Sequence, residues 1–416
     1  MDFKKFDIYY LVTLLFLLLS ANANFLSSSD LWWSLILIFM CIVAISKKLF
    51  RPADLKIIGI FSLVYLVFVA IRDLFINGLG ADFLLSEVIF LVKFVYLSFV
   101  FCTILKEKAA VYIVNVMLHL TILSFVFYAL QLLGLGDYIY KYSTALNLQA
   151  QDVIPGYTNF LFFSFTKGFH DYSNSGFVWE PGSFGCFLII ALMLNLFLNN
   201  FKFDKKSNIF IIGVITTLAT TDYLALLVVF FLIYRYKVPK VNFWAIILLL
   251  ISAAIVVTAP LLGGKIATTY YEDMDDLNRL KYLEVFYKHN NMSIPLNRFS
   301  SMIYIFNTFG FKLILGMTNK YNIIMNKAYN INISNGIFDF LAKFGLVGFV
   351  YLIYRYSKFC LAYVIKTEYL IYCILILLIM GFGEPVLILP VVLMFIFIQV
   401  KQVNLIERSK IRKKAI

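Results

Sequence analysis

Apolar residues run along this chain in long blocks, separated by short polar or basic breaks. A membrane-spanning helix needs about 20 mostly apolar residues, because a rise of ~1.5 Å per residue must cover ~30 Å of hydrocarbon. The blocks predict spans over Ile8–Ala23, Leu31–Ile45, Ile57–Ile71, Glu87–Leu105, Val111–Leu132, Ser183–Leu198, Phe243–Ala259, Gly336–Tyr354, Tyr369–Phe382 and Pro385–Val400. A further block, Ile209–Tyr234, has basic segments on both sides (201–208 and 235–242) that belong on one face. It is too short for two full spans, so the chain is expected to turn back within the membrane near Thr220-Thr221-Asp222. One long tilted helix is the competing reading.

Composition supports the pattern. Of 416 residues, 62% are hydrophobic and 14% charged, with a mean hydropathy of +0.88, 44 Phe and 27 Tyr. Soluble domains carry about 25% charged residues, so a single water-soluble core is excluded, as is disorder. Five Cys are too sparse for a disulfide scaffold. The expected fold is all-α: one polytopic membrane domain of about 11–12 spans.

The net charge of +13 suggests nucleic acid in a soluble protein, but here its placement explains it as orientation. With the N-terminus in the cytoplasm, the inner segments hold 23 of the 36 Lys and Arg, including the tail KQVNLIERSKIRKKAI. The outer segments hold 11, and Lys93 and Lys343 sit within spans. All the short basic loops then fall on one side, as the positive-inside rule requires.

The outer segments are unequal: 72–86 is short, 133–182 long and 260–335 longer still. Segments of that length are expected to be partly ordered and functional. In the last, Phe299, Met302, Ile303 and Phe306 share a helical face that predicts a short interfacial helix. There is no internal repeat, and the first apolar block, followed by further spans, does not read as a cleavable signal.

No Cys or His spacing predicts a metal site, and no phosphate loop is present, so no cofactor is expected. The acidic run Glu272, Asp273, Asp275, Asp276 reads as a solvated helix face. Asp339 and Lys343 stand four apart as a structural pair, Lys93 has no obvious local partner, and His119 reads as a satisfied polar contact. Asp222 is either a cavity residue or a cap. The stretch GFHDYSNSGFVWEPGSFGCFL gathers His170, Trp179 and Glu180 where an outer loop meets a span. Ordinary helix-start rules account for Glu180-Pro181, yet a carboxylate at that depth is also a candidate general base. Arg298 suits a diphosphate or anchors its helix at the headgroups, and Arg72 carries the same two readings.

Three stretches together resemble the Wzy-type polymerases of O-antigen and exopolysaccharide repeat units, relatives of the O-antigen ligases. They are NSGFVWEPGSFGCFL, NRFSSMIYIFNTFGFKLILG and ISNGIFDFLAKFGLVGFVYL. The resemblance implies a GT-C-like, metal-independent glycosyltransferase of the bacterial inner membrane, with both termini cytoplasmic. It would join undecaprenyl-diphosphate-linked oligosaccharides at the periplasmic face, alongside a chain-length regulator and the flippase of the same route. Glu180 matches the acid of the family's EP motif and Arg298 the arginine of its later loop. Where members often place an arginine before NSG, this chain has Ser173, so Lys167 or His170 must supply the charge. The reading NINISNG lacks the late-loop histidine of many ligases, which favours a polymerase.

The residues fit that chemistry. Arg298, with Arg279, Lys167 or Arg72, would neutralise the leaving diphosphate, and Glu180 or His170 would take the hydroxyl proton. Tyr157, Phe169, Tyr172, Trp179, Tyr270 and Tyr271 would stack on sugars. The alternatives are a polysaccharide ligase and, from another class, a lipid-oligosaccharide flippase or other transporter.

Overall fold

The computed structural model describes residues 7–146, 156–168, 170–237, 263–289, 294–325, 331–364 and 366–399. The expected span Phe243–Ala259, the ring of Phe169 and the basic tail lie outside these residues. The described chain is mostly helical. Among the described residues four helical stretches are long and apolar enough to cross a membrane: Pro52–Ile76, Ala81–Leu146, Pro181–Leu198 and Gly336–Leu361. The second is not straight, because Lys106 (φ +50°) and Gly134 (φ +82°) interrupt it. Shorter apolar helices cover Ile8–Ser20, Asp30–Ser46 and Thr367–Gly383. Along Pro52–Ile76 only 17% of the apolar window is buried, and Ile57, Val64 and Val67 are more than half exposed. Such a face requires an apolar solvent or a partner.

Pro181–Leu198 is the central helix, with 94% of its window buried. Against it pack Ala109–Leu130 and the two helices of the 209–234 block. That block is two helices, not one. Lys205–Thr217 ends where Leu218 turns left-handed (φ +55°), and Thr220–Lys237 begins beyond it. Near the bend Tyr223 Oη donates to the Ile215 carbonyl (2.7 Å), and at the far end the rings of Phe203 and Phe230 lie 6.3 Å apart. The helices are therefore antiparallel, and their basic ends lie together.

The expected continuous span over Pro385–Val400 is not formed. Its described residues are a 3₁₀ turn (Val386–Ile388), a short helix (Pro390–Leu393) and a second 3₁₀ turn (Met394–Ile396). Pro385 and Pro390 each remove a backbone donor, which prevents one uninterrupted ladder. The all-α expectation needs a small addition as well. Tyr157–Asn159 pairs antiparallel with Ser164–Thr166, and Ile294–Leu296 pairs parallel with Ile331–Ile333. The second ladder ties together both ends of the 298–325 excursion.

In Gly336–Leu361 the helix is broken at Gly345 (φ +70°). A Cβ there would meet Gly316 N at 2.6 Å, and one on Gly316 (φ +79°) would meet Gly345 N at the same distance. Two backbones cross at a separation only glycine permits. Beside this crossing a buried ion cluster pins three parts of the chain. Arg72, 0% exposed, donates to Asp73 (2.7 Å), Glu87 (2.7 Å) and the Lys343 carbonyl (2.6 Å). Glu87 also accepts from Tyr65 Oη (2.5 Å) and Thr318 Oγ1 (3.1 Å). Lys93 does have a partner, Asp30. Lys343 bonds Asp339 at 2.9 Å, and Tyr10 Oη lies 2.8 Å from His119 Nδ1.

Candidate active site

The NSG stretch is a fastening that aims the residues after it. Asn174 Nδ2 donates to Ser124 Oγ and to Thr216 Oγ1, both at 3.1 Å, and its backbone N–H donates to the Thr216 carbonyl (2.9 Å). The loop before the central helix is thus bolted to the bend of the helical hairpin. Gln131 Nε2 holds the preceding turn through the carbonyls of His170 (2.9 Å) and Asp171 (2.7 Å). Glu180 then occupies the N-cap position of the central helix, with Pro181 in its first turn. Trp179 Nε1 donates to Glu180 Oε1 at 2.6 Å, so the indole fixes the carboxyl rather than offering a free stacking surface.

Gly182 and Gly185 lie three residues apart on one face of this helix. A Cβ on Gly182 would collide with the Glu384 carboxyl, and one on Gly185 with the Asp222 carboxyl. The missing side chains admit two further acids against the helix. Ser183 lies between the acids, its Oγ 3.4 Å from Glu180 Oε1 and 3.1 Å from Glu384 Oε2. Asp222 is 0% exposed and accepts from Thr217 Oγ1 (3.3 Å), so it stands behind the site, just past the hairpin bend.

Arg298 opens its helix after the short strand Ile294–Leu296. Asp273 is buried instead of solvated: Oδ2 accepts the N–H groups of Phe299 (3.0 Å) and Ser300 (3.2 Å). An acid at a helix N-terminus satisfies orphan donors and opposes the dipole, which corrects the reading of the acidic run as uniformly solvated. Ser300, Ser301, Ile305 and Phe309 pack inward, leaving the apolar face of Phe299, Met302, Ile303 and Phe306 partly exposed. Arg298 Nε donates to the Gly383 carbonyl and Nη2 to Glu384 Oε1, each at 3.0 Å. Its side chain remains 34% exposed.

These residues surround a cavity of about 1070 Å³. Glu180, Glu384, Arg298, His170 and Tyr172 line it together with the hairpin bend at Thr217–Thr221. Leu224, Ile337, Leu378, Ile379 and Phe382 give it an apolar wall. Among the described residues, Arg298 is the one Lys or Arg side chain on its wall, against the carboxyls of Asp171, Glu180 and Glu384. Glu384 lies in the bend beyond the Thr367–Gly383 helix. Burial pushes its carboxyl well above the usual carboxylate range, Glu180 pushes it further, and the Arg298 guanidinium pulls it back.

Glu180, His170, Tyr172 and Arg298, all expected from the sequence, therefore meet at one cavity. Seven other expected residues, Lys167, Arg279, Arg72, Tyr157, Trp179, Tyr270 and Tyr271, do not line it. Lys167 faces outward and pairs with Asp137 (2.8 Å), and Arg279 is exposed and pairs with Asp275 (3.0 Å). Arg72 is sealed in the separate cluster described above, where no substrate reaches it. Tyr157 is buried, its Oη donating to the Ala23 carbonyl (2.8 Å). Glu384 is the site residue that sequence reasoning missed. No protein-family model matches the chain, and no curated protein or solved structure matches it either.

Proposed function

We propose that this protein is a polytopic, GT-C-like glycosyltransferase of the bacterial inner membrane, of the Wzy type. In this reading about 11–12 spans cross the bilayer, both termini are cytoplasmic, and the cavity opens to the periplasm. Support for that orientation comes from the paired basic ends of the hairpin, opposite the bend that lines the cavity. The substrates are undecaprenyl-diphosphate-linked oligosaccharides, and the product is a longer chain on one carrier.

One observation carries the reading. Glu180 and Arg298, far apart in sequence, line a single cavity whose walls carry both polar groups and apolar side chains. Such a space suits a substrate that is sugar and diphosphate at one end and hydrocarbon at the other. A hydroxyl of the acceptor repeat unit attacks the anomeric carbon of the donor sugar, and the bond from that carbon to the diphosphate oxygen breaks. The hydroxyl proton passes to Glu180. The leaving diphosphate keeps the bonding electron pair and faces Arg298, whose exposed guanidinium balances the growing charge. Glu384 positions that guanidinium, and the Trp179 indole holds Glu180 in line.

The test is deletion of the gene in a polysaccharide-producing host, followed by gel analysis of surface glycan. The expected result is survival of single capped repeat units with loss of long chains, and Glu180→Gln or Arg298→Ala gives the same pattern with the protein still in the membrane. Loss of all capping points to a ligase or flippase. Normal chain lengths in either variant remove that residue from the assignment.

A further inference from the structure

A second cavity, of about 530 Å³, lies between the Pro52–Ala70 helix, the Gly336–Leu361 helix and the 393–397 segment. Ile57, Val64, Phe68, Phe340, Val347 and Phe397 are among its walls, and Ile57, Ile60 and Val64 leave it open to the outside. One charged side chain, Arg355, lines this greasy groove. Its Nη2 donates to the Ile396 carbonyl, and its Nε is buried with no hydrogen-bond partner among the described residues. Among the described residues no carboxylate pairs with it. A permanent cation with no carboxylate beside it is costly in an apolar groove, and an anionic acceptor at the partly exposed guanidinium offsets that cost.

Position identifies the acceptor's source. Ile337, on the same helix, lines the first cavity, and eighteen residues separate it from Arg355. That is about 27 Å of helical rise, interrupted at Gly345, and close to the thickness of the hydrocarbon layer. Arg355 thus belongs near the membrane face opposite Glu180 and Arg298. A second cation stands at this end: Arg51 Nη2 donates to Gln399 Oε1 at 2.9 Å, three residues past Ile396, while its Nε pairs with Asp54 at 3.2 Å.

We propose that this groove is a binding site for an anionic glycerophospholipid of the leaflet opposite the first cavity. One acyl chain lies along Phe68, Val64 and Ile57, and the phosphate accepts from the Arg355 guanidinium, whose planar fork matches phosphate oxygens. The proposal rests on the membrane reading but not on glycosyl transfer, since nothing in it involves the first cavity.

Native mass spectrometry of the full-length protein in detergent tests it, with phosphatidylglycerol and phosphatidylcholine of identical acyl chains as probes. The expected result is about fivefold preferential retention of phosphatidylglycerol, the size of one basic contact with an anionic headgroup. Arg355→Gln brings the two lipids to parity. Val64→Trp fills the groove with the charge intact and lowers phosphatidylglycerol retention, which decides the matter if Arg355→Gln does not fold. Equal retention of both lipids by the unmodified protein overturns the proposal, and so does a preference that survives Val64→Trp.

Discussion

The molecule holds two arginine–carboxylate clusters made from the same side chains, and they differ in what is left over. Around Arg72 one guanidinium meets two carboxyls and a backbone carbonyl, Glu87 also accepts from a tyrosine and a threonine hydroxyl, and Arg72, Asp73 and Glu87 have no exposed surface. Within this cluster, and among the described residues, Asp73 Oδ2 alone lacks a partner. Around Arg298 one guanidinium pairs with Glu384, shares its cavity with the carboxyls of Glu180 and Asp171, and is a third exposed. A charge cluster with its valences filled holds helices together. A cluster short of cations and open on one side is fit to receive a ligand that rebalances it.

The widest separation of the two is expected in stability. Arg72→Leu strands two buried carboxyls and should cost about 3–5 kcal/mol, read as denaturant unfolding of the purified protein. Arg298→Ala should cost far less by the same measurement while abolishing long glycan. A stability loss of equal size in both variants erases the distinction.

A smaller effect comes from Glu384. Its folded carboxyl is raised, so the folded protein keeps the proton over a range where the unfolded chain has released it. Stability is therefore greatest below the ordinary carboxylate value and falls as pH rises towards the raised one. Glu384→Gln should remove that decline and gain on the order of 1 kcal/mol at alkaline pH, while shortening the glycan. An unchanged pH profile in the variant refutes the assignment. The smallest effect belongs to Asp30, whose side chain is 83% exposed beside Lys93. Asp30→Asn should shift stability by less than ~1 kcal/mol, the usual value of an exposed pair.

Local signals explain what could be read beforehand. Glu180 is legible because it precedes Pro-Gly at the start of an apolar block, and Arg298 because it opens an amphipathic one. Glu384 sits in GFGEP between two apolar runs, where it passes for the break between spans. A lone acid in so greasy a stretch is itself the signal, since its cost demands a partner or a use. Arg72 and Glu87 look like span ends, and only the fold reveals that they meet. Lys93 finds Asp30 across 63 positions, a pairing no local rule predicts. The hairpin was foreseeable from charge on both flanks, whereas the breakage of 385–399 depends on where two prolines fall against packed neighbours.

The bare face of the central helix makes the site fragile in one direction. Mutation at Gly182 or Gly185 can only add atoms, and the first of them, the Cβ, already lands on a carboxyl group. Drift at either position therefore evicts an acid in a single step, while no second change at the same position, short of reversion, readmits it.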